Sequence, residues 1–186
     1  MISRRRLAPG IPAIVVALAG QMPAITLAAP SAEADAVMAA IVYKITKFVT
    51  WPESALANAA GRLLICVGEL DPLLPAMRSM HGRTTQGNVI EVREVTAANA
   101  ADSGCHVLFM GAGETARMAA SLRAVGSKPI LTVGDAEDFV QQGGIIGLRV
   151  EQNRIAFIVN TKASERAGIG ISAQLLQLAT LVTGEG

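Results

Sequence analysis

Two histidines, two cysteines and one glycine-rich turn are the features of this 186-residue chain whose residue types could carry chemistry. Cys105 and His106 are adjacent, which is formally a nucleophile beside a base. Neighbours along a strand point to opposite faces, however, so such a pair could not readily share a proton. His106 lies inside the apolar run Gly104-Cys-His-Val-Leu-Phe-Met-Gly111, where a core histidine with a local hydrogen bond is the expectation. Zinc would need three or four ligands, and His81, His106 and the two cysteines do not offer them at a usable spacing. Gly111-Ala-Gly-Glu-Thr-Ala116 has the outline of a dinucleotide fingerprint, with Asp135 about 20 residues on. In such a motif backbone N–H groups and a helix N-terminus hold a pyrophosphate. Here the motif follows an internal strand, Ala116 replaces its last glycine, and Glu114 sets a negative charge where phosphates would lie. A tight strand-to-helix turn is the expectation, with no cofactor. No catalytic constellation emerges.

The ends of the chain decide what environment these groups meet. Met1 to about Ala29 reads as a secretory signal: Arg4, Arg5 and Arg6 form a basic start, Ile11 to Ala19 a short apolar core, and Leu27-Ala28-Ala29 a small-residue cleavage site. A membrane anchor that stays attached is the alternative, since Pro9, Pro12 and Pro23 interrupt the segment without forbidding insertion. No cysteine follows the apolar core closely enough for lipoprotein processing. Loss of residues 1–29 removes three of the 16 Lys+Arg and none of the 15 Asp+Glu, leaving 13 against 15. A slightly acidic chain with 3% aromatic residues argues against nucleic acid as a partner. Residues 30–186 are enough for one domain with its own core.

The elements that must position the candidate residues follow from the apolar pattern. A helix is expected from Ala34 to Val49, with Ala34, Met38, Ile41, Val42, Ile45, Phe48 and Val49 on one face, ended by Trp51-Pro52. Phe48 and Trp51 read either as core packing or, in the case of Tyr43, Lys47 and Trp51, as a partner-facing patch. Arg62-Leu-Leu-Ile-Cys-Val-Gly68 and the similar run Gly104–Gly111 are short, continuously apolar and bounded by glycine, so both are expected as fully buried parallel strands. Between them, Asp71-Pro72 starts a helix through Leu73, Leu74, Met77 and Met80, and His81-Gly82 closes it. Asn88 to Val95 reads as a strand near an edge, with Val89 and Ile90 inward, and Ala97 to Ala101 as one or two helical turns. Ile130-Leu-Thr-Val133 reads as a strand and Asp135 to Phe139 as a short helix stopped by Gly143-Gly144.

From there the pattern turns to a hairpin: Ile145 to Glu151, a turn at Gln152-Asn153, then Arg154 to Asn160. Ile146, Leu148 and Val150 should meet Ile155, Phe157 and Val159, with Glu151 opposite Arg154. Beyond Thr161 to Ala167 and a Gly168/Gly170 break, Ser172 to about Leu181 reads as a helix with Leu175, Leu176, Leu178 and Ala179 as its stripe. Strand–helix alternation of this kind indicates an α/β layer fold with a mostly parallel sheet, helices on both faces and an antiparallel C-terminal hairpin. Export, matching positions on two similar strands and the lack of a competing thiol lead us to expect a Cys66–Cys105 disulfide joining those strands, as a structural bond or a redox switch.

Taken in order, these features resemble the YfiR family of small periplasmic regulators along essentially all of the mature chain. The matching residues are Tyr43, Lys47-Phe48-Val49 and Trp51-Pro52, then Ile65-Cys66-Val67-Gly68 with Asp71-Pro72, then His81-Gly82-Arg83. They continue with Gly104-Cys105-His106-Val107-Leu108-Phe109, Leu131-Thr132-Val133-Gly134-Asp135, and Phe139 with Gly143-Gly144-Ile145-Ile146. Phe157-Ile158-Val159-Asn160 and Ile171-Ser172-Ala173-Gln174-Leu175-Leu176 complete the set. The resemblance implies a single Rossmann-like domain without enzymatic activity or cofactor. It also implies a periplasmic protein that binds and represses the periplasmic sensor domain of an inner-membrane diguanylate cyclase, so controlling cyclic di-GMP and biofilm formation. An outer-membrane lipoprotein would sequester it, and a homodimer stays open. This chain lacks a second cysteine pair, so redox behaviour resting on that pair is not carried over. The alternative is a periplasmic small-ligand-binding module serving a sensor kinase or outer-membrane receptor, its site at the C-terminal strand ends near Gly68, Gly111 and Gly134.

Overall fold

The computed structural model describes residues 32–57, 59–151 and 154–183. The expected signal segment and the hairpin turn at Gln152-Asn153 therefore lie outside the described residues. The chain runs α1 (Ala32–Ile45), β1 (Val49–Thr50), α2 (Glu53–Ala57), β2 (Arg62–Gly68), α3 (Leu74–Arg78), β3 (Thr84–Thr85), β4 (Asn88–Val95), β5 (Val107–Met110) and α4 (Thr115–Val125). It continues through β6 (Leu131–Gly134), β7 (Ile146–Glu151), β8 (Arg154–Asn160), α5 (Thr161–Arg166), β9 (Gly170–Ile171), α6 (Ala173–Leu176) and β10 (Ala179–Val182).

Eight strands form one sheet in the order β10-β8-β7-β6-β5-β2-β4-β3. Pairing is parallel except in the β7–β8 hairpin and between β3 and β4. β2 is buried from Leu63 to Gly68 because both its faces are covered, which is why its sequence shows no polar alternation. Leu63, Ile65 and Val67 face a core layer with α1 and α3, where Val42, Ile45 and Met77 are buried. Leu64 and Cys66 face the other layer, with Leu108 and Met110 of β5 and Met118, Leu122 and Val125 of α4. The fold is thus the expected α/β layer structure with helices on both faces. The hairpin register is also as expected: Ile146, Leu148 and Val150 oppose Val159, Phe157 and Ile155, and Glu151 opposes Arg154.

Five local expectations are corrected. The first helix stops at Ile45, and a 3-10 turn, Thr46–Phe48, leads into β1, which pairs antiparallel with β9. The tighter turn moves Phe48 off the buried α-helical stripe, and it is 36% exposed. Of the two β4 residues expected to point inward, Ile90 is buried but Val89, its neighbour, is exposed, as the two-residue period of a strand requires. Residues 136–143 form consecutive turns rather than a helix, with Phe139 N–H donating to Ala136 O and Gly144 N–H to Phe139 O. Cys105 lies just before β5, not within it, and Cys66 is in register with Leu108. Finally, the C-terminal helix lasts one turn. The Ser172 hydroxyl accepts from Leu175 N–H and caps it, after which β10 pairs in parallel with β8. The free edge of β8 offers backbone partners that a longer helix would have left unused.

Candidate functional site

In open parallel sheets the ligand crevice lies beyond the C-terminal strand ends, here where β2 and β5 lead away to different sides. That crevice is filled by the chain's own side chains. Asp71, in the turn after β2, accepts Leu73 N–H on Oδ1 at 2.9 Å and Gly111 N–H on Oδ2 at 2.8 Å. Asp135, after β6, accepts Ala112 N–H at 2.6 Å. The amides of the glycine-rich turn, which a phosphate would need, are thus already bonded to carboxylates. The turn itself is the tight connection expected, a 3-10 turn at Ala112–Glu114 running into α4.

The three glycines read as a ligand site lie against these and other side chains. A Cβ on Gly68 would stand 2.1 Å from Glu114 Oε1, one on Gly111 2.5 Å from Asp71 Oδ2, and one on Gly134 2.5 Å from the Phe139 ring. The space left beside Gly68, Leu108, Met110 and Glu114 is about 10 Å³, too small to admit a ligand. Gly68, Gly111 and Gly134, the positions read as a small-molecule site, are thus glycines where the chain packs closely against itself. Burial pushes the carboxyls of Asp71, Glu114 and Asp135 above the usual carboxylate range. Backbone hydrogen bonds oppose the rise at Asp71 and Asp135, while the charge of Asp71 adds to it at Glu114. The cluster is acidic as well as full, and a nucleotide phosphate does not fit it.

At the other end of the sheet, His106 is buried and uses both ring nitrogens. Nδ1 accepts the Leu64 amide N–H at 2.9 Å, and Nε2 lies 3.2 Å from Ala55 O. Those contacts specify the neutral tautomer with its proton on Nε2. Burial pulls its pKa below the ordinary histidine value, opposed by the Ala55 bond. This is the core histidine expected from the apolar run. Trp51 lies beside it, 4% exposed, its indole N–H donating to His106 O at 3.0 Å. Trp51 is therefore a core residue and drops out of the partner-facing patch.

What remains of that patch is Tyr43 between two cations. Lys47 Nζ lies 4.7 Å and Arg83 Cζ 5.4 Å from the ring centroid, and the Tyr43 hydroxyl donates to Thr84 O at 2.9 Å. Lys47 and Arg83 are exposed, and Phe48, which follows Lys47 in the chain, is 36% exposed. Arg83 was not among the candidate residues; it reaches the ring from the loop before β3, which no helical or strand period could reveal.

Cys66 and Cys105 form the disulfide, with Cα atoms 5.8 Å apart. The two residues are 0% and 5% exposed, inside the layer covered by α4. The chain turns into this position at Gly104, whose φ of +72° suits glycine. Among the described residues no group of three or more His, Cys, Asp or Glu is placed to hold a metal ion. No helix among them is long and apolar enough to cross a membrane.

Comparison with known proteins adds two observations. A family model described as YfiR/HmsC-like matches residues 35–180. A solved structure described as a conserved domain protein from Vibrio cholerae O1 biovar El Tor str. N16961 is 13% identical, with a TM-score of 0.49. The similarity covers 77% of this chain and 59% of that one, so the chain spans about three fifths of its length. No curated protein matches.

Proposed function

This chain belongs to the YfiR/HmsC-like family, which is regulatory rather than catalytic, and from that premise we propose that it is a periplasmic repressor of an inner-membrane diguanylate cyclase. It binds the cyclase's periplasmic sensor domain, lowers cyclic di-GMP and restrains biofilm formation, and an outer-membrane lipoprotein relieves the repression by sequestering it. The observation that carries this reading is the family match over residues 35–180, nearly the whole described fold. Two features support it. The crevice that serves as a ligand site in related architectures is occupied by Asp71, Glu114 and Asp135. The half-buried Tyr43 with the exposed Lys47 and Arg83 forms a cationic, aromatic surface suited to an acidic segment of a partner.

Affinity capture of the mature protein from solubilised envelopes tests the partner. Recovery of a membrane-anchored diguanylate cyclase is expected, and its recovery should fall when Lys47 and Arg83 are both replaced by glutamate. Deletion of the gene should raise cyclic di-GMP. Unchanged cyclic di-GMP in cells that contain such a cyclase, or capture of a sensor kinase or receptor in its place, would overturn the reading.

A further inference from the structure

A cavity of about 270 Å³ opens at the N-terminal ends of β2 and β5, the end of the sheet opposite the filled crevice. Leu64 and His106 line its buried side, and Ala55 and Ala59 form an apolar wall. Arg62 starts β2, while Glu91 and Arg93 of β4 are in register with Leu64 and Cys66, which places all of them around one opening. Glu91 sits between the two arginines: Oε1 accepts from Arg93 Nη2 at 2.9 Å, and Oε2 is 3.6 Å from Arg62 Nη1. Arg93 Nη1 also donates to Ser103 O at 3.2 Å, and Arg62 Nε to Ala59 O at 3.5 Å. The hydrogen bond from Arg93 holds the Glu91 carboxyl below the usual carboxylate range, so it stays ionised.

These bonds fix both guanidinium groups at the rim without using all their donors, since each carries five N–H groups. Two cations and one anion leave a net charge of +1 beside an apolar wall. We propose that this cavity binds a small monoanionic carboxylate with an apolar body. Its carboxylate is held by Arg62 and Arg93, and its body lies on Ala55, Ala59 and Leu64. A monoanion balances the charge of the rim, whereas a phosphate dianion exceeds it and meets Glu91, and a cation is repelled by both arginines. The volume, about 270 Å³, lies just below the ~300–1,000 Å³ typical of small-molecule sites, which limits the body to about one ring. Leu64 and His106 also join β2 to β5, so an occupant there stabilises that junction.

The test is an NMR titration of the isotope-labelled, disulfide-bonded protein with phenylacetate, and in parallel with acetate, phenyl phosphate and 2-phenylethylamine. Phenylacetate should give saturable shifts at the amides of Ala59, Leu64 and His106 and raise the melting temperature. Acetate and 2-phenylethylamine should bind at least about tenfold more weakly, the loss of an apolar body or of a charge-assisted hydrogen bond. R62Q and R93Q, both at exposed positions, should each weaken phenylacetate about tenfold while retaining a dispersed spectrum, and A59L should block it by filling the wall. The proposal is overturned by a lack of saturable phenylacetate shifts, by phenyl phosphate binding as tightly as phenylacetate, or by shifts that map elsewhere. Binding unchanged in both arginine variants would overturn it equally.

Discussion

His106 bonds both backbone groups of Leu64: its amide N–H donates to Leu64 O at 2.9 Å and its ring Nδ1 accepts Leu64 N–H at 2.9 Å. β5 begins only at Val107, opposite Ile65, so the imidazole extends the ladder by one bond past the strand's end. Protonation of Nδ1 would replace that acceptor with a donor facing a donor. The folded-state pKa lies below the unfolded value of ~6.5, so this contribution is fully present above ~6.5 and is lost as pH falls through the depressed value. His106→Asn keeps an acceptor near the Nδ1 position. The stability of the wild type relative to H106N, from urea unfolding at pH 8 down to pH 5, should therefore decline over that window. A difference independent of pH would show that the ring does not titrate this way.

Trp51 contributes a hydrogen bond and a buried ring, which two substitutions separate. His106 O also accepts Leu131 N–H at 2.9 Å, so loss of the indole N–H does not orphan that carbonyl. Trp51→Phe should cost roughly 1 kcal/mol in hydrogen bonding, plus the smaller ring, whereas Trp51→Ala should cost about 3–5 kcal/mol. Urea denaturation of both variants measures the gap, and equal losses would place the whole effect in the hydrogen bond.

Phe139 is wedged between two glycines. A methyl on Gly134 would stand 2.5 Å from its ring and 2.7 Å from Met110 O, and one on Gly144 2.2 Å from the ring. The ring is 0% exposed, and Met110 O belongs to β5, so neither neighbour can retreat cheaply. Gly134→Ala and Gly144→Ala should each destabilise the fold by about 1–3 kcal/mol or more. Gly113→Ala, with nothing within 4 Å of the added Cβ, is the control and should be near neutral.

The disulfide closes a loop of 39 residues, worth about 4 kcal/mol in the chain-entropy account. That is a large share of the ~5–15 kcal/mol by which a domain is typically stable, so Cys66→Ser or Cys105→Ser should sharply reduce melting temperature and abundance. Because both sulfurs lie under α4, thiol labelling should stay low in mild reductant until denaturant is added. Complete native-state reduction with an intact fold and altered partner binding would instead make the bond a switch.

The strands with continuous or alternating apolar patterns were legible: β2, β4 and the β7–β8 hairpin stand within about a residue of their expected bounds. β10 was not, since the helical spacing of Leu175, Leu176, Leu178 and Ala179 runs on past the end of α6, whereas the conformation of Ala179–Val182 is decided by the exposed edge of β8, far away in sequence. The cysteine pairing was legible, but its placement was not, because register is a property of two strands and Cys105 falls short of β5. The candidate site was the least legible. Whether Trp51 faces a partner or the core depends on His106, and Gly134 reveals its purpose only beside Phe139.

The topology also leaves open one order of assembly in particular. β2 pairs with β4 on one side and β5 on the other, and all three lie between residues 62 and 110. For a chain delivered N-terminus first, both cysteines and the strands that align them have emerged before Thr115 begins the helix that covers them. On that route oxidation can precede enclosure, with Cys66 and Cys105 still open to an oxidant before residues 115–125 fold over them. α4, arriving last on that route, would turn an accessible bond into a sealed one.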